Sequence, residues 1–356
     1  MLTKNDYGGQ GAMTAQVVAL PGGWLQVKVP LPFSLKWVNS YIVPERGRVT
    51  VIDPGLGTDE ARSLWDEVLS SCHLKWPDIK RVLLTHQHPD HYGLAGYMQQ
   101  KSGCPVYMTS RAHRYALRLW EEDSTFADDL RELYVPHGMP EHLMDAIENN
   151  LSGFVSLVSP QPKVDYFEPG GILELGGASW EIIDAPGHAF GGVCLYQRET
   201  RWMVCGDQVL PRITPNVSVV PGEEADPLDY FLNSLAELRS YEVHYALPGH
   251  RDPFDRFKER IEELLDHHAR RLKEMGERLA EQSQTAFALC EEQFGKHLRE
   301  NPHNLRFAMS ETLAHLYFLE QRGIIVSDRQ DGCIVYRKPT GSAHATGSAG
   351  NWNSID

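Results

Sequence analysis

Apolar and polar positions alternate in short runs near the N-terminus. GWLQVKVPLP, VNSYIVPE and RVTVIDPG are β-prone and are cut by Pro and Gly, the rhythm of an antiparallel sheet. The spacing then becomes helical in TDEARSLWDEVLSSC, where Thr58 caps the helix and acids fill its first turn. IKRVLLT predicts a buried strand, YGLAGYMQQKSG a helix ending at Gly103, and CPVYMTS a further strand. Residues 111–163 change to a helical, aromatic-rich character between two β-rich regions, which marks an insertion. Strands resume in GGILELGGASWEIIDAPGH and in a hairpin, GVCLYQRETRWMVCGD, whose turn lies near Glu199 and Thr200. Residues 227–241 predict a helix, and VHYALPGH a strand that runs into a loop. Strand runs thus precede each helical part twice over, an α/β order that predicts two packed sheets with helices outside.

Beyond Pro253 a long charged helix, FDRFKERIEELLDHHARRLKEMGERLAEQ, gives way to more helix and then to two short strands around the turn pair Asp331-Gly332. This pattern predicts a C-terminal helical, winged-helix-like module over 256–338, behind a first domain over 14–255 that carries the 111–163 insertion as a cap. The small, polar, unpatterned residues 339–356 read as a disordered tail.

Composition narrows the function classes. At 356 residues and 42% hydrophobic content the chain can bury a substantial core. No apolar run reaches the roughly 18 residues of a membrane span, and the opening MLTKNDYGGQGAM lacks a secretory pattern, so the cytoplasm is expected. The six cysteines (72, 104, 194, 205, 290 and 333) form no C-x-x-C pair and read mostly as buried free thiols. A net charge of -14 repels polyanions and disfavours nucleic-acid partners.

The candidate chemistry lies in LLTHQHPDHYGLAGY, where His86, His88, Asp90 and His91 fall within six residues directly after an apolar strand. That strand fixes the backbone, so His86 and His88 can aim at one point while Asp90 and His91 face a neighbouring one, the geometry two adjacent cations need. Borderline metals take imidazole nitrogen and carboxylate oxygen. Further ligands are expected where other strands break into glycine-containing loops: His188 in DAPGHAFGG, Asp207 in VCGDQV and His250 in ALPGHRD.

These residues resemble the metallo-β-lactamase fold superfamily, with its T-H-x-H-x-D-H loop followed by single His, Asp and His positions. The resemblance covers roughly residues 15–255 and implies an αββα sandwich with the site at one edge. It further implies that His86, His88 and His188 bind one metal, that Asp90, His91 and His250 bind a second, and that Asp207 bridges them. By the same resemblance Asp53, at the end of VTVIDPG, orients a ligand, and Thr85 has a similar status. Two divalent metal ions are therefore expected, with zinc the first choice and iron or manganese also suited to these donors.

Such a pair makes hydroxide available near neutral pH and polarises a carbonyl, so hydrolysis is the expected reaction, with a bridging hydroxide attacking. The catalytic carboxylates are Asp207 and Asp90, the latter (or a metal-bound water) handling the leaving-group proton. No G-x-S-x-G, S-x-x-K or P-loop motif offers competing machinery. Aspartate at 207, where zinc β-lactamases place cysteine, aligns the chain with the glyoxalase II and lactonase branches and points to a small ester, thioester or lactone. Trp120, Phe126 and Tyr134 of the insertion are either substrate contacts or its own core, and His137 is a candidate to overhang the site.

A second reading comes from the C-terminal module, which resembles that of the β-lactamase-like protein 2 group of single-strand endoribonucleases. Residues 301–338 carry five Lys/Arg against four Asp/Glu, which is no RNA footprint. A packing or dimerisation role for the module, giving a homo-oligomer, is the plainer expectation. A third reading, a non-catalytic metal-binding regulator, leaves a complete set of seven donors without a purpose.

Overall fold

A computed structural model of the chain describes residues 16–121 and 124–339. The expected disordered tail, apart from Pro339, and the opening stretch MLTKNDYGGQGAM lie outside the described residues.

The β-prone N-terminal runs form β1 (Val17–Ala19), β2 (Leu25–Pro30), β3 (Trp37–Glu45) and β4 (Arg48–Ile52), joined as an antiparallel meander. The chain then crosses back through α1 (Asp59–Ser71), whose N-cap Thr58 accepts from the Ala61 amide at 3.1 Å. The crossover places β5 (Ile79–Leu83) parallel to β4. Two helices follow, α2 (Pro89–Tyr92) and α3 (Ala95–Ser102), the second ended by Gly103 at φ 71°. Next come β6 (Val106–Met108), parallel to β5, and three helices: α4 (Ser110–Trp120), α5 (Phe126–Tyr134) and α6 (Glu141–Val155). A strand not expected from the sequence, β7 (Val164–Tyr166), then closes a seven-stranded sheet ordered β1 to β7. Like β1, it has three residues, too few for alternation to show.

The second sheet holds β8 (Ile172–Leu175), β9 (Ala178–Asp184), β10 (Val193–Gln197) and β11 (Trp202–Gly206). After α7 (Pro227–Leu238) it is completed by β12 (Tyr245–Pro248), in the order β12-β11-β10-β9-β8. Only the β11–β12 pair is parallel; the others are antiparallel. Every residue of β10 is buried, as expected of a strand covered on both faces. The inner faces carry one apolar cluster that includes Trp24, Tyr41, Val43, Ile52 and Leu83 together with Trp180, Ile182, Leu195, Val204 and Leu247. Trp24 packs on Trp180 and Trp202, with centroids 5.4 and 5.7 Å apart. This is the sandwich core.

The remaining elements are α8 (Phe257–Glu281), β13 (Gln284–Thr285), α9 (Ala286–Phe294), α10 (Pro302–Gln321), β14 (Val326–Gln330) and β15 (Cys333–Arg337). They make a three-stranded sheet ordered β13-β15-β14, the element order of a winged helix. Asp331 and Gly332 both have positive φ, 49° and 87°, which a two-residue hairpin turn of matching twist requires.

Chain contacts gather into two units. One holds the chain up to Ser124 with Ser152–Pro215 and Ser234–Ile261, and the other holds Thr125–Leu151, Asn216–Asn233 and the chain from Glu262 onward. The 111–163 segment is shared between them: α4 falls in the first unit, α5 and most of α6 in the second. All six cysteines are free thiols, and five are buried. Among the described residues no helix is long and apolar enough to cross a membrane.

Leu195 is 1% exposed at the centre of the inter-sheet cluster. Leu195→Ala is expected to lower the stability of the sandwich by about 2–5 kcal/mol, the usual cost of such a cavity. Urea unfolding followed by tryptophan fluorescence measures it; a loss well under about 1 kcal/mol would contradict this account of the core.

Candidate metal centre

β4 and β5 run parallel, so Asp53 and the His86 loop leave their sheet at the same end. In the second sheet β9 and β11 are both antiparallel to β10, and β12 is parallel to β11. The loops carrying His188, Asp207 and His250 therefore also leave together. The carboxyl ends of co-directional strands are where open α/β sheets place their ligands.

The structure brings all nine predicted residues into one place. His86, His88 and His188 offer donor atoms within 4.8 Å of one another, as do Asp90, His91 and His250. Asp207 lies between the two groups. Its Oδ1 is 3.4 Å from His91 Nε2, and its Oδ2 is 3.2 Å from His250 Nε2 and 3.8 Å from His188 Nε2. Asp90 Oδ2 is 3.1 Å from His250 Nε2, and His86 Nε2 is 3.1 Å from His88 Nδ1.

Hydrogen bonds behind the site decide which ring nitrogen faces inward. Asp53 can only accept: its Oδ1 takes the Thr85 amide at 2.8 Å, and its Oδ2 takes the Thr85 hydroxyl at 2.6 Å and His91 Nδ1 at 2.9 Å. With its proton directed at Asp53, the Thr85 hydroxyl accepts from His86 Nδ1 at 2.9 Å. His250 Nδ1 donates to the Trp37 carbonyl at 2.9 Å. Three imidazoles are thereby held with Nδ1 to the rear, so that Nε2 of His91 and His250 faces the carboxylates and Nε2 of His86 faces His88. Asp53 itself adopts a left-handed φ of 50°, strain that a turn aspartate tolerates and its three hydrogen bonds hold in place.

The electrostatics follow from this crowding. Burial raises the Asp207 carboxyl, but His250 and His91 outweigh it and hold the group well below the usual carboxylate range. Asp90 behaves likewise, with His91 and His250 prevailing over burial. Burial lowers His250, yet Asp207 and Asp90 lift it to about 10, and His91 rises for the same reasons. His88, with burial and His188 acting together, falls to about 3, and His86 is lowered by burial and its histidine neighbours. The two carboxylates thus hold negative charge opposite the imidazoles of His91 and His250.

This arrangement fits divalent cations. Among the described residues His91 Nε2, His250 Nε2 and Asp207 Oδ1 are buried and, although they crowd together, make no hydrogen bond of good geometry, a costly state that a cation relieves. A Cβ at Gly249 would lie 2.1 Å from Asp207 Oδ1 and 2.5 Å from the His91 ring, so only glycine lets the backbone approach so closely. The nitrogen and oxygen donors suit zinc, iron or manganese.

The sequence does not single out the residues that tie the loops together. The Val193 amide donates to the Thr85 carbonyl at 3.0 Å, and Gln208 Nε2 donates to the Pro186 carbonyl at 3.1 Å. Thr109 caps α4 and also donates to the Gly191 carbonyl at 2.6 Å, anchoring the His188 loop. On the other side, the Gly249 amide donates to the Gly206 carbonyl at 2.7 Å, and Asn39, Tyr41 and Trp37 on β3 engage the turn that presents His250. The available signal is the polar pair Asn39 and Ser40 inside an otherwise apolar strand run. Tyr92, to which the sequence assigns no role, is buried with its hydroxyl bonded to Gln161 Oε1 at 2.5 Å.

The aromatic residues of the insertion do not open onto a cleft. Trp120, Phe126 and Tyr134 are all buried. Trp120 Nε1 donates to the Gln87 carbonyl at 3.1 Å, and the Tyr134 hydroxyl lies 2.5 Å from Ser310 Oγ. His137 donates from Nδ1 to the Leu133 carbonyl at 2.6 Å and takes the Tyr336 hydroxyl at 3.0 Å, both within the second unit. Both of its ring nitrogens are occupied there.

Residues 38–250 match the profile of the metallo-beta-lactamase superfamily, and residues 272–339 that of the metallo-beta-lactamase-like C-terminal domain. A probable metallo-hydrolase of Bacillus subtilis is 28% identical over 323 residues, 88% of this chain and 97% of that protein. An atrochrysone carboxyl ACP thioesterase of Aspergillus fumigatus is 22% identical over 260 residues, 73% of this chain and 63% of that one. The crystal structure of a metallo-beta-lactamase family protein from Thermus thermophilus aligns with a TM-score of 0.78 at 32% identity, covering 90% of this chain and 99% of that one. The matched profile over most of the sandwich and this likeness along nearly the whole chain agree, and the chain belongs to the metallo-β-lactamase superfamily.

Proposed function

We propose that the chain is a binuclear metal-dependent hydrolase acting on the carbonyl of a small ester, thioester or lactone. The observation that carries the reading is the position of Asp207, whose carboxylate lies 3.4, 3.8 and 3.2 Å from His91, His188 and His250 and so touches both donor groups. In this reading His86, His88 and His188 hold one cation, Asp90, His91 and His250 hold the other, and Asp207 serves both. When bound, the two cations supply Lewis acidity, which acidifies water and polarises the substrate carbonyl.

The chain's own residues do the rest. Asp53 and Thr85 engage Nδ1 of His86 and His91, which leaves Nε2 as the ring nitrogen free to act as a ligand. The Trp37 carbonyl does the same for His250. Asp90 has a side chain 15% exposed, against 9% for Asp207 and 3% for Asp53, and is the carboxylate best placed to pass a proton to a leaving group. Oxygen rather than sulfur at position 207 keeps the shared ligand a hard donor.

The choice of a small acyl substrate over RNA rests on charge. A chain of net charge -14 repels a polyanion, and the near balance of charges over 301–338 provides no local remedy. The likeness to a protein named as an acyl-carrier thioesterase supports a thioester among the candidate bonds.

Asp207→Ala is expected to lower turnover of any substrate by at least about a hundredfold and to reduce bound metal, since one side chain serves both sites. Elemental analysis of the purified variant beside a kinetic assay checks both, and full activity with unchanged metal content would sink the assignment. In a panel of acyl thioesters, lactones and single-stranded RNA, the wild type is expected to cleave an acyl compound and leave RNA intact. RNA cleavage lost in Asp207→Ala, without ester or thioester turnover, would reverse the substrate assignment.

A further inference from the structure

We infer that Asn39 is a positioning residue for the second metal site, acting through the turn that presents His250; the inference rests on the two-metal reading above. Asn39 lies in β3 and is fully buried. Its Nδ2 donates to the Pro248 carbonyl at 2.9 Å and the Arg251 carbonyl at 2.5 Å, and its backbone amide donates to the Gly249 carbonyl at 2.6 Å. One side chain and its amide thus grip the turn on both sides of His250.

Chemistry selects asparagine here. The two carbonyl oxygens can only accept, so both hydrogens of the carboxamide nitrogen point at the turn, and Oδ1 faces the other way. There it accepts from Gln26 Nε2 at 2.7 Å, which also lies 3.5 Å from the Arg251 carbonyl. Gln26 is 1% exposed, so this second amide is held as firmly out of solvent as the first. An aspartate of the same shape would set a carboxylate oxygen against two carbonyls.

The turn needs this grip because its backbone is not relaxed. Arg251 adopts φ 72°, the left-handed region that an arginine rarely visits without external support. Tyr41 adds a hydroxyl bond to the Pro248 carbonyl at 2.7 Å, and the Trp37 carbonyl takes His250 Nδ1 at 2.9 Å, so residues 37, 39 and 41 of β3 contact the turn in register. Glycine at 249 removes the side chain that would otherwise stiffen it, leaving the position of His250 Nε2 to these bonds. The His86, His88 and His188 group draws its support instead from Thr85 and Thr109. A site-selective effect follows.

The test compares wild type, Asn39→Ala, Asn39→Asp and the milder Gln26→Glu, each stripped of metal and titrated with Co(II) by calorimetry and visible absorption. The melting temperature of each metal-free protein is recorded. Wild type is expected to bind two equivalents. In the Asn39 variants one of the two affinities is expected to fall by about 10–100-fold while the other changes by less than about threefold, with a smaller, same-sided loss in Gln26→Glu. Lost hydrolysis should return as the Co(II) concentration is raised, which a merely unfolded protein would not show. Binding of fewer than two equivalents by wild type refutes the two-metal reading itself. Two equivalents in wild type with unchanged affinities in the variants, or equal weakening of both, overturns the role of Asn39. If the Asn39 variants do not fold, Gln26→Glu alone decides between these outcomes.

Discussion

Two carboxylates, Asp90 and Asp207, are kept ionised in an interior whose nearest groups are imidazoles. Charge buried in this way is tolerated only when it is paired, and the penalty for leaving it unpaired exceeds the cost of most single substitutions. The structure answers by gathering imidazoles around them. Asp53, itself buried, drives this by drawing the Nδ1 protons of His91 and, through Thr85, of His86 to the rear. One hydrogen-bonded aspartate behind the site therefore decides what the front of it can bind.

The sandwich supplies that precision mechanically. The functional residues follow the carboxyl ends of β4, β5, β9, β11 and β12, and the loops are stitched to one another by backbone bonds from Val193 to Thr85 and from Gly249 to Gly206. Shifting the start of the His86 loop, or the turn before His250, would break one of these bonds. The site inherits rigidity from the inter-sheet core, where Trp24, Trp180 and Leu195 meet, rather than from the polar cluster itself.

Much of this was legible in the sequence because the motif is local. Four donors within six residues after an apolar strand admit few readings, and His188, Asp207 and His250 stood out through the glycines beside them. Long periodic segments such as α1 and α8 were equally clear, as was the Asp331-Gly332 turn. What escaped was non-local or short. β1, β7 and β13 have two or three residues each, and their existence depends on a partner strand rather than on their own pattern. Gln26 and Asn39 are 13 residues apart and meet a turn that lies 209 residues beyond Asn39, a relation no periodicity contains. The aromatic residues of the insertion could be read as cleft or core, and Trp120 and Tyr134 use their polar atoms to fasten backbone and neighbouring hydroxyls inside the protein.

Two cations sharing Asp207 are the central claim. Anomalous diffraction from crystals of the metal-loaded protein, collected on both sides of the absorption edge of the bound metal, tests this directly. Two peaks are predicted, one among His86, His88 and His188 and one among Asp90, His91 and His250, with the Asp207 carboxylate reaching both. A single peak, or metal bound without Asp207, would contradict it.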